Sequence, residues 1–142
     1  MASTFIDLGL PSGTLWATEN AVIDGKAYFN FDEAVKTFGK HLPSAETWNE
    51  LFDLCRKSWD ESRKGIIFTA PNKKTLFLPA NGYKKDSEQK DAYLEGVYCR
   101  YWTSTPYGDE QAYVQNLNAF KLLSTVPLNR TICLSVRLCK QA

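Results

Sequence analysis

The chain of 142 residues, 44% of them hydrophobic, is long enough for one domain with a buried core and too short for two ordinary domains, so we expect a single domain over residues 1–142. Seventeen Lys and Arg residues against 16 Asp and Glu residues leave a formal net charge of +1, without the basic patch of a nucleic-acid-binding protein. No segment approaches the ~18 consecutive apolar residues of a membrane span, and the first residues lack the charged and apolar regions of an export signal. The sequence therefore predicts no nucleic-acid partner, no membrane insertion and no export signal of its own.

The first part of the chain predicts two strands and a helix. Short apolar runs at residues 5–8 and 14–17 flank a Pro-Ser-Gly turn, which is typical of two strand segments. Asn30 followed by Glu33 resembles a capping box and predicts a helix over residues 31–38, which the next glycine ends.

A second helix is predicted from Ser44, which follows a proline and is a favourable N-cap. Apolar residues then recur at helical spacing, so we expect one helix that buries a face as far as Trp59. The stripe consists of Trp48, Leu51, Phe52, Cys55 and Trp59.

Beyond the second helix the pattern changes to strands and loops. Residues 65–69 and 75–78 flank the turn at 71–74 and predict a hairpin. The polar segment 84–95 has no apolar period, so we expect an exposed loop with room for a fragment of helix. The first two helices and the later strands together predict an α+β domain.

The remaining strands are expected at residues 98–105, 112–118, 119–125 and 131–139. The last segment alternates between two sets of side chains, as a strand with two different faces does. One set is Ile132, Leu134, Val136 and Leu138, and the other is Cys133, Ser135, Arg137 and Cys139.

Four cysteines are present, at positions 55, 99, 133 and 139, without a C-x-x-C pair or a zinc-like spacing. On one straight strand Cys133 and Cys139 would lie about 20 Å apart, far beyond the ~7 Å Cα limit of a disulfide. The sequence favours buried free thiols in a reducing compartment.

Five stretches of the sequence carry a family resemblance: DLGLPSGTLWA at 7–17, LPSAETWNEL at 42–51, FLPANGY at 77–83, YWTSTPY at 101–107 and SVRL at 135–138. Together they resemble, from end to end, the Fibrobacter succinogenes major paralogous domain. This resemblance implies an α+β, C-type-lectin-like fold, with two helices packed on a mainly antiparallel, twisted sheet. The fold is related to formylglycine-generating enzymes and to variable receptor-binding domains of phages and bacteria, and it implies a surface that displays ligand contacts.

The sequence gives little indication of a metal site or a catalytic site. Calcium-dependent sugar sites need several convergent oxygen ligands, and the nearest strings here, Ala-Pro-Asn at 70–72 and Trp-Asn-Glu at 48–50, do not supply them. We therefore expect a calcium-independent protein with no metal and no cofactor, although Asp86, Glu88 and Asp91 could hold a cation weakly. A lone histidine, His41, without a paired Ser or Cys motif favours no catalytic residue and no enzyme.

Trp16, Trp48, Trp59 and Trp102 are interpreted as core residues, and Tyr93, Tyr107 and Tyr113 as surface residues beside polar loops. The resemblance implies that Arg137 is buried or half-buried, where its five donors would satisfy carbonyls or a carboxylate. It also implies that ligand contacts come from the C-terminal strands and loops. The matching residues are Tyr107, Asp109, Gln111, Tyr113, Gln115, Asn116, Asn118, Lys121 and Arg130.

The resulting expectation is a non-enzymatic ligand-binding or adhesion module for a protein or glycan ligand. The alternative is a structural or decoration protein of a bacteriophage virion, whose surfaces contact other virion or surface-protein subunits. An enzyme of the formylglycine-generating type ranks third. The resemblance implies a location at the surface of a phage virion or of a bacterial cell.

Overall fold

The computed structural model describes residues 4–86, 88–118 and 123–141. Within these residues the chain is a mixed α/β domain with two α-helices and three antiparallel sheets. The elements are β1 Phe5–Asp7, β2 Thr14–Ala17, α1 Phe31–Phe38, a short 3-10 helix Gly39–His41, α2 Ala45–Leu54, β3 Arg56–Asp60, β4 Gly65–Thr69, β5 Thr75–Pro79, β6 Tyr98–Tyr107, β7 Gln111–Asn118, β8 Leu123–Asn129 and β9 Cys139–Gln141.

Each sheet has three strands, in the orders β1-β2-β9, β3-β4-β5 and β6-β7-β8. The first sheet pairs the two ends of the described chain, since Phe5 lies opposite Ala17 and Thr14 lies opposite Gln141. The third sheet is the longest, and its register shifts between Trp102 and Pro106. This irregularity falls where β6 approaches the β6–β7 hairpin turn.

Both helices begin where local capping chemistry predicts. Asn30 Oδ1 accepts a hydrogen bond from the Glu33 amide at 2.8 Å, and Glu33 Oε1 accepts one from the Asn30 amide at 3.0 Å. These two bonds satisfy amides that the first turn of α1 would leave free. Ser44 Oγ accepts from the Thr47 amide at 3.1 Å and caps α2 in the same way. The two predicted helix starts are therefore confirmed.

The predicted extension of α2 to Trp59 is wrong. The helix ends at Leu54, and Cys55 takes up an extended conformation with ψ 146°. Trp59 lies in β3 opposite Ile66, and it still packs against the core from there. Its helical spacing from Trp48 is coincidental. The backbone amide and carbonyl groups of β3 form hydrogen bonds with β4 instead of continuing the helix.

The predicted strand at 131–139 is also wrong as a single strand. Cys133 bridges Lys84, Leu134 bridges Phe29, and only β9 pairs as a regular strand. Ser135 and Arg137, assigned to the second face, are 0% and 1% exposed. Both faces of the segment are buried, because it runs between three different parts of the chain. The predicted strand at 119–125 is displaced, since β8 begins at Leu123 and residues 119–122 lie outside the described residues.

The interior consists of two hydrophobic clusters. Trp16, Trp48 and their neighbours form the first, where the two rings lie 4.7 Å apart, and Trp102 belongs to the second with Phe31 and Leu134. These three tryptophans are 0% exposed, so their assignment to the core is confirmed.

The third sheet has two faces, each covered over half its length by a different helix. On the α2 face Gln115 lies opposite Tyr101 and donates from Nε2 to Asn49 Oδ1 of α2 at 3.4 Å. On the α1 face Trp102 lies opposite Val114, and its ring meets the Phe31 ring of α1 at 5.4 Å. Because the helices cover different ends, the other half of each face, a quarter of the two faces taken together, is left uncovered by a helix.

The three sheets meet at the Arg137 junction, formed by Asn20, Tyr101 and Arg137. Arg137 donates from Nη1 to the Ala17 carbonyl of β2 at 3.1 Å, and from Nη2 to the Phe77 carbonyl of β5 at 2.8 Å. Its Nε donates to Asn20 Oδ1 at 2.8 Å, and the Tyr101 hydroxyl of β6 lies 3.0 Å from the same oxygen. The expectation that Arg137 satisfies carbonyl groups is confirmed.

We expect Arg137→Lys to lower the free energy of unfolding by about 2–4 kcal/mol, because an ammonium group cannot serve three acceptors in a planar fork and leaves buried oxygens unpaired. Denaturant unfolding with a fixed m-value measures the change. Arg63→Lys is the matched control, since Arg63 is exposed, and it should cost at most about 0.5 kcal/mol. Equal losses of unfolding free energy in the two variants would contradict a central role of the Arg137 junction in stabilising the fold.

Candidate functional site

The uncovered half of the α2 face lies at the β6–β7 hairpin and forms the hairpin-end surface, which we define as Tyr107, Asp109, Gln111 and Tyr113. Tyr107 pairs with Gln111 across the hairpin, and Tyr113 lies two residues further along β7 on the same face. Tyr107 is 49% exposed, and its ring meets the Tyr113 ring edge-on at 5.3 Å. The sequence-predicted Asp109 is exposed in the turn.

A cleft of about 450 Å³ adjoins this surface between the start of α2 and the third sheet. Tyr113 forms one wall and Glu46 another. Thr105 and Thr125 contribute hydroxyl groups, and Thr105 Oγ1 accepts a hydrogen bond from the Ala45 amide at 3.0 Å. The hairpin-end surface therefore combines two aromatic rings with hydroxyl and carboxylate groups around a depression.

Arg130 holds the hairpin in place. Its Nη2 donates to the Gly108 carbonyl at 2.7 Å and its Nε to the Gln111 carbonyl at 3.1 Å. The guanidinium also lies 4.8 Å from the centre of the Phe31 ring of α1. The structure thus places this predicted contact residue behind the hairpin-end surface, where it positions the turn.

The other predicted site residues do not join the hairpin-end surface. Contrary to the sequence prediction, Gln115 is 0% exposed, because α2 covers it, and its Oε1 accepts from Thr125 Oγ1 at 3.1 Å. Asn116 lies on the opposite, α1 face. Lys121 lies outside the described residues, and so does the side chain of Asn118.

Sequence reasoning missed an aromatic cluster in the uncovered half of the α1 face. We call it the Arg100 cluster and define it as Tyr83, Tyr93, Tyr98 and Arg100. Arg100 donates from Nε to Asn116 Oδ1 at 3.2 Å and contacts two tyrosine rings. Tyr98 and Arg100 are two residues apart in β6, so the sequence alone indicates that their side chains share one face of the sheet. The return of the loop that carries Tyr83 and Tyr93 was not visible in the sequence.

No cysteine is prepared for nucleophilic chemistry. All four cysteines are buried and free, as predicted. Burial raises the pKa of the Cys99 thiol to about 12 and that of Cys139 to about 11, and it also raises the pKa values of Cys55 and Cys133. Because the thiolate is the reactive form, these groups are poor nucleophiles near neutral pH.

The histidine ring is tied to the main chain, since His41 Nδ1 lies 3.0 Å from the Cys139 carbonyl oxygen. Across the described ranges there is no group of three or more His, Cys, Asp or Glu side chains that could hold a metal ion. Asp86, the proposed weak cation ligand, accepts hydrogen bonds from the amides of Glu88 and Gln89. None of the helices in the described part of the chain is long and apolar enough to cross a membrane.

These features define a small α/β domain with two helices, three antiparallel sheets and two aromatic surfaces on its longest sheet. The chain belongs to the family described as a domain of unknown function, DUF8237, whose sequence model matches residues 50–139, more than half of the chain. The match includes all of the third sheet, the Arg100 cluster and the hairpin-end surface. Comparison with curated proteins and with solved structures gave no match.

Two glutamines on the same face of β7 provide a matched test of these positions. We expect Gln115→Ala to cost about 1–3 kcal/mol of unfolding free energy, because it leaves a small cavity beneath α2 and removes the hydrogen bonds of Gln115 to Asn49 and Thr125. Gln111→Ala, at the partly exposed hairpin end, should cost at most about 0.5 kcal/mol. Denaturant titrations of both variants decide this, and the reverse order would place α2 over the hairpin end.

The raised thiol pKa values predict a loss of stability at high pH. Unfolded thiols lose their protons near pH 8.5–9, whereas folded Cys99 and Cys139 keep theirs until about pH 12 and 11. Unfolding therefore releases protons in this window, and stability falls as pH rises through it. We expect the melting temperature to fall less between about pH 8 and 10 in the double variant Cys99→Ala, Cys139→Ala than in the wild type. If the melting temperatures of the two proteins fell equally over this pH range, the assignment of the stability loss to Cys99 and Cys139 would be wrong.

Proposed function

We propose that the chain is a non-enzymatic ligand-binding or adhesion module, and that its hairpin-end surface binds a protein or glycan ligand. The observation that carries the proposal is the pair formed by the exposed Tyr107 and the half-buried Tyr113, on a hairpin that Arg130 fixes from behind. Tyrosine and arginine are enriched at recognition surfaces, where aromatic rings supply contact area at a low entropic cost.

Rigidity supports this use of the hairpin. Arg130 bonds two carbonyls of the turn and packs on α1, so the ligand need not order the hairpin when it binds. The cleft beside Tyr113 adds hydroxyl groups from Thr105 and Thr125. Thr125 donates its proton to Gln115, so its oxygen can accept a hydrogen bond from a ligand. A surface of this kind suits selective contact with polar ligands.

We further propose that the domain has the C-type-lectin-like fold of the Fibrobacter succinogenes major paralogous domain. Two helices, antiparallel sheets and a buried arginine in the Ser-Val-Arg string support this proposal. The division into three separate three-stranded sheets is a departure from one mainly antiparallel sheet. Under this proposal the module acts at the surface of a bacteriophage virion or of a bacterial cell.

The protonated thiols favour a binding role over a reaction of the formylglycine-generating type. A reactive cysteine needs a lowered pKa, whereas burial raises the pKa of all four thiols here. Cys133 and Cys139 also lie in the buried C-terminal segment, out of reach of a large substrate.

The double variant Tyr107→Ala, Tyr113→Ala tests the hairpin-end surface. The labelled wild-type protein is first screened on a glycan array and on a panel of bacterial cells. Each tyrosine hot spot contributes about 2 kcal/mol, so we expect the folded double variant to bind a ligand found in this way several hundredfold more weakly. Arg130 is left unchanged because its loss would disturb the hairpin itself.

Val35→Ala is the control, because Val35 is 42% exposed but lies in α1, outside both aromatic surfaces. It should leave binding to the same glycan or cell unchanged. A folded double variant that binds as well as the wild type would contradict the proposed surface. A wild-type domain that binds no glycan and no cell would favour the alternative in which this is a virion structural protein that contacts only other subunits.

A further inference from the structure

The Arg100 cluster is a row of groups in successive contact. The Arg100 guanidinium lies 4.5 Å from the centre of the Tyr83 ring and 5.2 Å from that of Tyr98. The Tyr83 ring also meets the Tyr93 ring at 5.4 Å, with the two ring planes tilted by 59°. The order of contacts along the row is therefore Tyr93, Tyr83, Arg100, Tyr98.

Close backbone packing fixes the row in place. Gly82, which precedes Tyr83, donates its amide to the Tyr98 carbonyl at 2.9 Å. A Cβ at this glycine would lie 1.9 Å from the Tyr93 carbonyl oxygen, and its φ is +62°. Only glycine fits there, so the loop is held directly against β6 and the tyrosines are preorganised.

Among the residues that the structure describes, none provides an acceptor for the two terminal nitrogens of Arg100. Its Nε donates to Asn116 Oδ1, and the described residues provide no other hydrogen bond and no ion pair to its guanidinium. Arg130 and Arg137, the other arginines that are at least partly buried, bond carbonyl or amide oxygens through their Nη atoms. Arg100 is thus in contact with two tyrosine rings, and within the described part of the chain its two terminal nitrogens remain available for an acceptor.

The two terminal nitrogens of Arg100 are suited to binding a carboxylate. A guanidinium fork binds a carboxylate through two parallel hydrogen bonds, and stacking on rings holds the fork ready for it. The Tyr83 ring is already in contact with Tyr93 and with Arg100, so less of it is open for a sugar to stack on.

An apolar patch borders the row. Tyr93, Leu94 and Val97 are 48%, 42% and 43% exposed. The Leu94 carbonyl accepts from the amides of Val97 and Tyr98 at 3.0 and 3.1 Å, which closes a turn next to the Tyr98 end of the row. Apolar side chains beside a preorganised cation fit a protein segment better than a free anion or a sugar.

We propose that the Arg100 cluster is a second binding site, which takes an acidic segment of a protein partner. A Glu or Asp carboxylate binds the Arg100 fork, and a neighbouring apolar side chain packs against Leu94 and Val97. The site lies on the opposite face of the sheet from the hairpin-end surface, and roughly 20 Å of strand separates Arg100 from Tyr107. It is independent of that surface and of its proposed ligand.

Nuclear magnetic resonance of the full chain tests the site with defined probes. The first probe is the blocked peptide acetyl-Ala-Glu-Leu-Glu-Ala-amide. The second is a control peptide with Gln in place of both Glu residues. The third, sodium glucuronate, represents an acidic sugar. We expect the Glu peptide to shift the Arg100 Nε–Hε signal and the ring signals of Tyr83 and Tyr98 in a saturable way. The Gln peptide and glucuronate should bind at least about tenfold more weakly.

Two variants of Arg100 distinguish the contribution of the guanidinium geometry from that of the positive charge. Arg100→Gln should weaken binding of the Glu peptide at least about tenfold, and Arg100→Lys, which keeps the charge but loses the fork, should also weaken it severalfold. Arg63→Gln is the matched control, because Arg63 also stacks on a ring, Phe77 at 4.1 Å, but is paired with Asp60. It should bind the peptide as the wild type does.

Three results would overturn the proposal. They are equal shifts with the Glu and Gln peptides, tighter saturation by glucuronate than by the Glu peptide, and shifts of the wild-type protein that map away from the Arg100 cluster. The wild-type titration decides the matter even if Arg100→Gln fails to fold. Binding that survives Tyr107→Ala, Tyr113→Ala but is lost in Arg100→Lys would show that the two surfaces act separately.

Discussion

The fold depends on the Arg137 junction, where one buried guanidinium bonds parts of two sheets and shares Asn20 with a tyrosine of the third. Asn20 Oδ1 faces both the Nε of Arg137 and the hydroxyl of Tyr101, so the oxygen of the amide must point into the junction. This orientation leaves Asn20 Nδ2 without a hydrogen-bond partner among the described groups, at the usual cost of a buried unpaired donor. The arrangement adds directional bonds between β2, β5 and β6 to the hydrophobic cluster that the three sheets share.

The junction also determines which parts of the third sheet remain open. With the other two sheets attached near Tyr101, α2 covers that half of one face and α1 covers the hairpin half of the other. The uncovered halves lie at opposite ends and on opposite faces of the same strands. The two aromatic surfaces are therefore a consequence of how two short helices share one long sheet.

Features set by neighbouring residues could be predicted from the sequence. The capping residues Asn30 and Ser44 act within a few positions of themselves, and they gave the correct helix starts. The segment 131–139 could not be predicted, because its backbone is paired with distant parts of the chain such as Phe29 and Lys84. Trp59 was assigned to the wrong element, because its spacing from Trp48 also fits a helix and only the pairing with Ile66 across the β3–β4 hairpin makes it a strand residue. The same holds for the candidate site: Gln111 and Gln115 look alike in the alternation of β7, and only the position of α2 makes one a surface residue and the other a core residue.

Arginine has opposite roles at the two surfaces. At the hairpin end the carbonyls of Gly108 and Gln111 occupy the fork of Arg130, and the tyrosines in front of it are left to make contacts. In the Arg100 cluster the guanidinium contacts two tyrosine rings instead of main-chain carbonyls. The exposed Asp109 and Glu110 add negative charge to the first surface, whereas the second offers a positive charge that has no ion-pair partner among the described residues. Two surfaces of opposite sign on one rigid sheet favour two chemically different ligands over one ligand that wraps around the domain.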